Sequence, residues 1–401
     1  MKVYVFDLMP YDRVFDEFKA DRFLPYPLPG KYFDPEIGAR TYEQHLAVWR
    51  EMDALGYDGV GLNEHHTTPH GSDNAPNMMI AAAAQITKRL KFLVLGYLVP
   101  MYNPLRLAEE IAMADCMSRG RVIAGLARGT PREYRVFNVP MADSRAMADE
   151  AAEIIFKAWT EETFSHQGKF WTYDNVGAWP RPYQQPHPPI WVPFSGSKDT
   201  LEWAAQRNFP GVIGHFKEDL TDDIAGYYAR ALAKHGHRIT PQHLCLFTDA
   251  WVADDKQAAL REYGPNYLYF QQILWHHGTV RVQSKASTEG YFSSAAFDYI
   301  RPQNRQAAAL DREKIRLTEM KDVEAKVMSG ELAFGSAKEV TERLIYLAER
   351  AGSDSILLNM NLGALPNDAF MEQIRRFGRE VLPKLQAHTV TRVPAAEQVP
   401  A

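Results

Sequence analysis

Short apolar runs recur along the chain, each bounded by Gly, Pro or a polar cluster. They are VYVFDL (3–8), GVGLNEH (59–65), KFLVLGYLV (91–99), RVIAGLARG (121–129), PIWVPFSG (189–196), GVIGHF (211–216), LCLFTDAWVA (244–253) and SILLNMN (355–361). Runs of this kind predict strands buried on both faces, as in a parallel sheet. Between them, apolar positions fall at helical spacing. TYEQHLAVWREMDALG (41–56) stops at a Gly, and PLRLAEEIAMADCMS (104–118) opens with Pro at the first helical position. SAKEVTERLIYLAERAG (336–352) begins with a Ser-x-x-Glu capping box and closes on Gly. Eight apolar strands, each followed by a helix, predict an α/β fold of the (β/α)8 TIM barrel type. A doubly wound open sheet is the rival, but no G-x-G-x-x-G follows the first run, which weakens it.

Two segments exceed a minimal barrel. FSHQGKFWTYDNVGAWPRPYQQPHPP (from 164) precedes the fifth strand and is rich in Pro, Gly and aromatics. The region 263–333 follows the seventh strand and is too long for a simple loop; insertions of this kind are usually lids or binding loops. No linker divides the chain, so 1–388 reads as a single domain and 389–401 as a flexible tail.

Composition narrows the function. With 46% hydrophobic and 24% charged residues the chain is a folded globular protein. A net charge of −5 leaves no basic footprint for nucleic acid or anionic lipid, which favours a small-molecule partner. Two cysteines, Cys116 and Cys245, provide neither a disulfide framework nor a zinc spacing. With no signal-peptide core or spanning run, a cytoplasmic location is expected.

On such a barrel the chemistry sits at the C-terminal ends of the strands. Those ends carry Asp7; Asn63, Glu64, His65 and His66; Tyr97 and Pro100; Arg128; Ser195 to Thr200; His215; Asp249; and Asn359 to Asn361. The pair His65–His66 admits a metal site, a ligand pocket or a structural hydrogen bond. Neighbouring strand residues point to opposite faces, which argues against both imidazoles reaching one ion, and no metal is expected. SGSKDTLEWAAQ (195–206) is a small-residue turn running straight into a helix, and its free N–H groups suit a phosphate. Ser197 and Thr200 can add hydroxyl bonds, and Arg128 from the preceding strand a charge-assisted one. The plain alternative is that Ser197 or Asp199 only caps the helix.

Four blocks in order resemble the bacterial luciferase-like family of flavin-dependent monooxygenases across roughly residues 1–388. They are LGYDGVGLNEHH, AAAAQITKRLKFLVLGYLVPMYNPLRLAEEIAMADCMSRGRVIAGLARGTPREYRVF, GKFWTYDNVGAWPRPYQQPHPPIWVPFSGSKDT and FGSAKEVTERL. The resemblance implies a barrel that is usually a homodimer through the helices after strands two and three. It also implies FMN, reduced by a partner NAD(P)H:flavin reductase, with O2 as co-substrate. It assigns His65 to catalysis near the reactive edge of the flavin and leaves His66 between structure and substrate. Arg128, together with Ser197 and Thr200 of the turn that also holds Ser195 and Gly196, would grip the flavin phosphate. Leu95 and Gly96 match the site of a non-prolyl cis peptide beside the flavin.

The light-emitting branch carries a reactive cysteine where this chain has Ala127, so bioluminescence is not implied. The expected reaction is oxygenation of a small organic substrate through a flavin C4a-(hydro)peroxide, with Tyr267, Tyr269 and Trp275 as lid or substrate candidates and ordinary packing as their alternative. Three other readings stay open. They are a deazaflavin-dependent oxidoreductase of the same fold, a non-catalytic flavin-binding protein, and a metal-dependent hydrolase on the same barrel.

Overall fold

Eight parallel strands form one curled sheet: β1 (Lys2–Phe6), β2 (Gly59–Leu62), β3 (Lys91–Val94), β4 (Val122–Ile123), β5 (Val192–Phe194), β6 (Gly211–Ile213), β7 (Leu244–Val252) and β8 (Ser355–Asn359). The computed structural model describes residues 1–214, 217–275, 295–304 and 318–394. Pairing runs β4-β3-β2-β1-β8-β7-β6-β5, and the register Lys2↔Ser355 to Phe6↔Asn359 joins the first strand to the last. A parallel bridge between Ala124 and Ile190 closes the circuit, with Ala124 N–H donating to Pro189 O at 2.9 Å and Trp191 N–H to Ala124 O at 3.0 Å. The expected barrel is therefore present. That bridge joins the two outermost strands of the sheet, β4 and β5, as barrel closure requires.

The helices lie outside: α1 (Pro35–Leu55), α2 (Pro76–Ile86), α3 (Pro104–Ser118), α4 (Pro131–Val136), α5 (Ser144–Thr160), α6 (Lys198–Gln206), α7 (Glu218–Lys234), α8 (Lys256–Tyr269), α9 (Met320–Ser329), α10 (Ala337–Ala351), α11 (Asn367–Glu380) and α12 (Leu382–Ala387). Their limits follow the local signals. The Asn103 side chain caps α3 by accepting from Arg106 N, and Ser336 with Glu339 forms the capping box of α10, which stops at left-handed Gly352.

Several boundaries differ from the sequence reading. The third and fourth apolar runs are each interrupted, because after β3 and β4 the chain bulges and re-pairs as Tyr97–Leu98 with Leu126–Ala127. At that bulge two backbones nearly touch. A Cβ on Gly96 would meet Gly125 O at 2.6 Å, and one on Gly125 would meet Val94 O at 2.1 Å. Segment 164–189 contains an antiparallel hairpin, Phe164–Gln167 with Thr172–Val176, fastened along α5 because Glu150 accepts from the N–H groups of Lys169, Phe170 and Trp171. The stretch from 263 begins inside α8, which continues unbroken through Gly264 and Pro265. In the same stretch, α9 leads to a short strand, Ala333–Gly335, that extends the end of β7. Of the expected tail, Val390 is buried and the N–H groups of Thr391 and Arg392 meet Glu349, while residues 395–401 lie outside the described residues.

Candidate active site

Alternation along the end of β2 sends neighbouring side chains to different partners. Glu64 is buried, and its carboxylate accepts from Leu98 N (3.1 Å) and the Tyr102 hydroxyl (2.8 Å) and pairs with His66 Nε2 (3.0 Å). That carboxylate ties β2 to the bulge after β3 and fixes His66, whose ring also stands edge-on to Phe137 at 4.6 Å. His65 turns the other way. Its Nδ1 lies 3.5 Å from Oε1 of Glu133 on α4, and its ring is 4.8 Å from that of His70. His70 in turn faces Trp275 at 6.3 Å, which brings this aromatic to the mouth.

Glu133 is buried in a cage. Burial would raise its pKa, but the His65 hydrogen bond, the Arg132 charge at 3.1 Å and the Thr130 hydroxyl outweigh it and hold the carboxyl well below its usual range. An ionised Glu133 accepts from His65 Nδ1–H, which leaves Nε2 as the imidazole atom able to give or take a proton.

The anion side forms where α5 and α6 begin. Arg128 Nη1 donates to Ser144 Oγ (3.3 Å), and Arg145 Nη2 donates to Thr200 Oγ1 (2.8 Å). The first turn of α5 thus links two guanidinium groups to the start of α6. Ser197 precedes α6 but makes no side-chain cap bond; its Oγ is fully buried without a hydrogen-bond partner among the described residues. Gly196 is left-handed at φ 87°, and its carbonyl accepts from the Tyr299 hydroxyl at 2.6 Å. Buried donors rarely stay unmatched. An orphan hydroxyl at a helix N-terminus, with Arg145 tied to Thr200 of that helix and Arg128 tied to the neighbouring Ser144, fits a phosphate.

The structure thus separates the sequence candidates. His65, His66 and Trp275 gather at one part of the mouth. Arg128, Gly196, Ser197 and Thr200 gather at the other, with Ser195 exposed beside them. Between the two, the Leu95–Gly96 peptide is cis, as the resemblance implies. Tyr267 and Tyr269 are core side chains of α8 rather than loop residues. Tyr267 packs on Phe334, and the Tyr269 hydroxyl accepts from Phe15 N at 2.9 Å. Because α8 does not break at Pro265, both rings turn inward. His215 lies outside the described residues.

Other strand-end polar groups hold the barrel together. Asp7 accepts from His45 Nδ1 (2.6 Å) and Trp49 Nε1 (2.8 Å) of α1; burial opposes its charge, yet His45 and these bonds keep its carboxyl below the usual range. Asn359 Nδ2 donates to Asp249 at 2.9 Å. Among the described residues no group of His, Cys, Asp or Glu is placed to hold a metal ion. Sequence reasoning missed Glu133 and Arg145. The first is visible as the fourth residue of a Thr-Pro-x-Glu capping box, the second only as a basic residue opening α5.

Fold and site together define a (β/α)8 barrel whose strand ends carry a carboxylate-backed imidazole on one side and a guanidinium- and hydroxyl-bearing helix start on the other. The sequence profile of luciferase-like monooxygenases matches residues 23–355, and the chain belongs to that family. It is 35% identical over 173 residues to the uncharacterized protein y4wF of Sinorhizobium fredii, covering 43% of this chain and 50% of that one, so it spans about half the length of that relative. It is 28% identical over 244 residues to the oxygenase component of the flavin-dependent trigonelline monooxygenase of Acinetobacter baylyi, 59% of this chain and 67% of that one. With the alkanal monooxygenase alpha chain of Aliivibrio fischeri it shares 28% over 232 residues, 55% and 63% of the two chains. The fold resembles the oxygenating constituent of 3,6-diketocamphane monooxygenase of Pseudomonas putida, solved with FMN, at a TM-score of 0.70 and 20% identity over 98% of this chain and 100% of that one. An F420-dependent secondary alcohol dehydrogenase shares the fold at a TM-score of 0.62 and 16% identity, over 96% of this chain and 98% of that one.

Proposed function

We propose that this chain is the oxygenase component of a two-component monooxygenase that takes reduced FMN from a separate NAD(P)H:flavin reductase. The observation that carries this reading is the orphan Ser197 hydroxyl beneath the Arg128 and Arg145 anchors. Arg128, Arg145, Ser197 and Thr200 would hold the phosphate, with Leu95 and Gly96 against the ring system. When bound, reduced FMN supplies two electrons to O2, so that one oxygen atom enters the organic substrate and the other leaves as water. His65 holds or moves a proton at Nε2, backed by Glu133 at Nδ1. His66 is held by Glu64 and shapes the wall. Trp275 and His70 help keep bulk water from the mouth.

The oxygenase-component relative supports a reductase partner. A homodimer through α2 and α3 is supported by exposed apolar side chains there: Met78 and Ile86 on the former, Met113 and Met117 on the latter. No helix among the described residues is long and apolar enough to cross a membrane, and the two free cysteines suit a cytoplasmic location.

The test is rapid mixing of the FMNH2-loaded protein with O2, read by flavin absorbance and released hydrogen peroxide. Wild type should reoxidise in phases absent from free FMNH2, and His65→Ala should release more peroxide. Reoxidation identical to that of free FMNH2, or turnover only with a reduced deazaflavin, contradicts the reading.

A further inference from the structure

Residues 295–304, between α8 and α9, lie as a strap across the turn that opens α6. Ala296 O accepts from Lys198 N at 2.8 Å, Asp298 pairs with Lys198 Nζ at 2.9 Å, and the Tyr299 hydroxyl donates to Gly196 O at 2.6 Å. Further along, the fully buried Asp223 of α7 accepts from Arg301 N–H at 3.2 Å and from Asn304 Nδ2 at 2.7 Å. The Tyr299 ring lies 4.3 Å from that of Tyr227, also on α7. The strap is therefore clamped to α7 by contacts that do not need the Tyr299 hydroxyl.

These contacts act on consecutive peptide units of the anion turn. In a planar trans peptide the carbonyl and the N–H point in opposite directions. With Gly196 O drawn to Tyr299, the N–H of the same unit, that of Ser197, is turned away from the strap. The N–H of the next unit, that of Lys198, is turned toward the strap and taken by Ala296. Gly196 permits this path, since its φ of 87° is one that L side chains rarely adopt. Ser197 N–H makes no hydrogen bond among the described residues, and neither does the buried Ser197 hydroxyl. A carbonyl that already accepts also makes the N–H of its own unit a stronger donor, because linked hydrogen bonds polarise one another.

We propose that the strap is a positioning element of the anion site, the Tyr299 hydroxyl setting the Gly196–Ser197 peptide so that Ser197 N–H meets the phosphate. Phosphate binding and strap docking then strengthen each other by the same factor, as linkage requires. The identity of that phosphate as the flavin's rests on the oxygenase reading, whereas the coupling of strap and anion stands alone.

The test uses the full chain, wild type and Tyr299→Phe, with FMN, riboflavin and inorganic phosphate as probes. Tyr299→Phe keeps the ring against Tyr227 and leaves the Asp223 clamp in place, and circular dichroism verifies its fold. It should bind FMN about three- to ten-fold more weakly than wild type, the range of one neutral hydrogen bond, and riboflavin equally well. A tyrosine that only packed the strap would move both flavins or neither. In wild type, saturating FMN should slow amide hydrogen exchange across 298–301 and riboflavin should not, and Tyr299→Phe should lose most of that slowing. Unchanged FMN affinity in Tyr299→Phe, an equal loss for the two flavins, or strap exchange indifferent to FMN and to phosphate overturns the proposal. If wild type takes up no FMN while inorganic phosphate still slows strap exchange, and does so less in Tyr299→Phe, the flavin reading fails and the strap assignment stands.

Discussion

His65 Nδ1 lies 3.5 Å from Glu133 Oε1, a contact between residues 68 positions apart that joins the end of β2 to the helix after β4. Glu133 is fully buried, and the same carboxylate accepts from Thr130 and Arg132. The imidazole is therefore oriented by a group that the local capping box has already fixed.

The pH dependence of stability follows from Glu133. Its folded pKa is depressed, so its contribution is complete above the ordinary carboxylate pKa of about 4.3 and is lost as pH falls below it. Glu133→Gln should be clearly less stable than wild type at pH 7, and the gap should shrink by pH 3. Breaking a buried pair by removing one partner costs about 3–5 kcal/mol, which bounds the gap. Urea unfolding at the two pH values measures it. A gap that does not change with pH would contradict the cage.

Asp73 behaves in the opposite way. It is buried, neither carboxylate oxygen makes a hydrogen bond of normal geometry among the described residues, and burial, then the charges of Glu64 and Asp7, push its pKa well up. The cost of ionising it is absent below the ordinary carboxylate pKa and grows as pH rises. Asp73→Asn should therefore gain stability relative to wild type between pH 4 and pH 8, by about 1–3 kcal/mol for one relieved polar group. Thermal melts at both values check the sign; an equal effect at both would refute it.

Oligomeric state is open to a direct test. Met113 and Met117 are one helical turn apart on α3, 50% and 40% exposed, and Trp179, anchored to Glu109 of the same helix, is 85% exposed. A surface this apolar fits an interface between copies. Wild type should sediment as a dimer and the Met113→Glu, Met117→Glu protein as a monomer with unchanged circular dichroism. A monomeric wild type would remove the proposal.

The barrel was legible because most strands are apolar over nearly their whole length and several helices carry their own start or stop signals. The limits of α3 match the sequence reading, since Asn103 and Pro104 are local signals. The breaks after β3 and β4 were not legible, because Val94 to Leu98 is as apolar as an unbroken strand and only the facing Gly96 and Gly125 reveal the close approach. Pro265 misleads in the other direction: it sits within α8, so Tyr267 and Tyr269 read as loop residues while packing in the core. The site was half visible. Ser197, Thr200 and Arg128 announce themselves by position, whereas Arg145 and Glu133 owe their importance to partners 55 and 68 residues away.

The grip on the flavin phosphate is the claim on which the rest depends. The most direct measurement compares dissociation constants for FMN and for riboflavin, which lacks the phosphate, in wild type, Arg128→Ala, Arg145→Ala and Ser197→Ala. Loss of a charged hydrogen bond is worth about 1.5–3 kcal/mol, so each arginine variant should bind FMN roughly ten- to a hundred-fold more weakly and riboflavin as wild type does. Ser197→Ala should lose less FMN affinity and be no less stable without ligand, because its buried hydroxyl has no partner to forfeit among the described residues. FMN affinity unchanged in both arginine variants, or lost equally for the two flavins, would contradict the account.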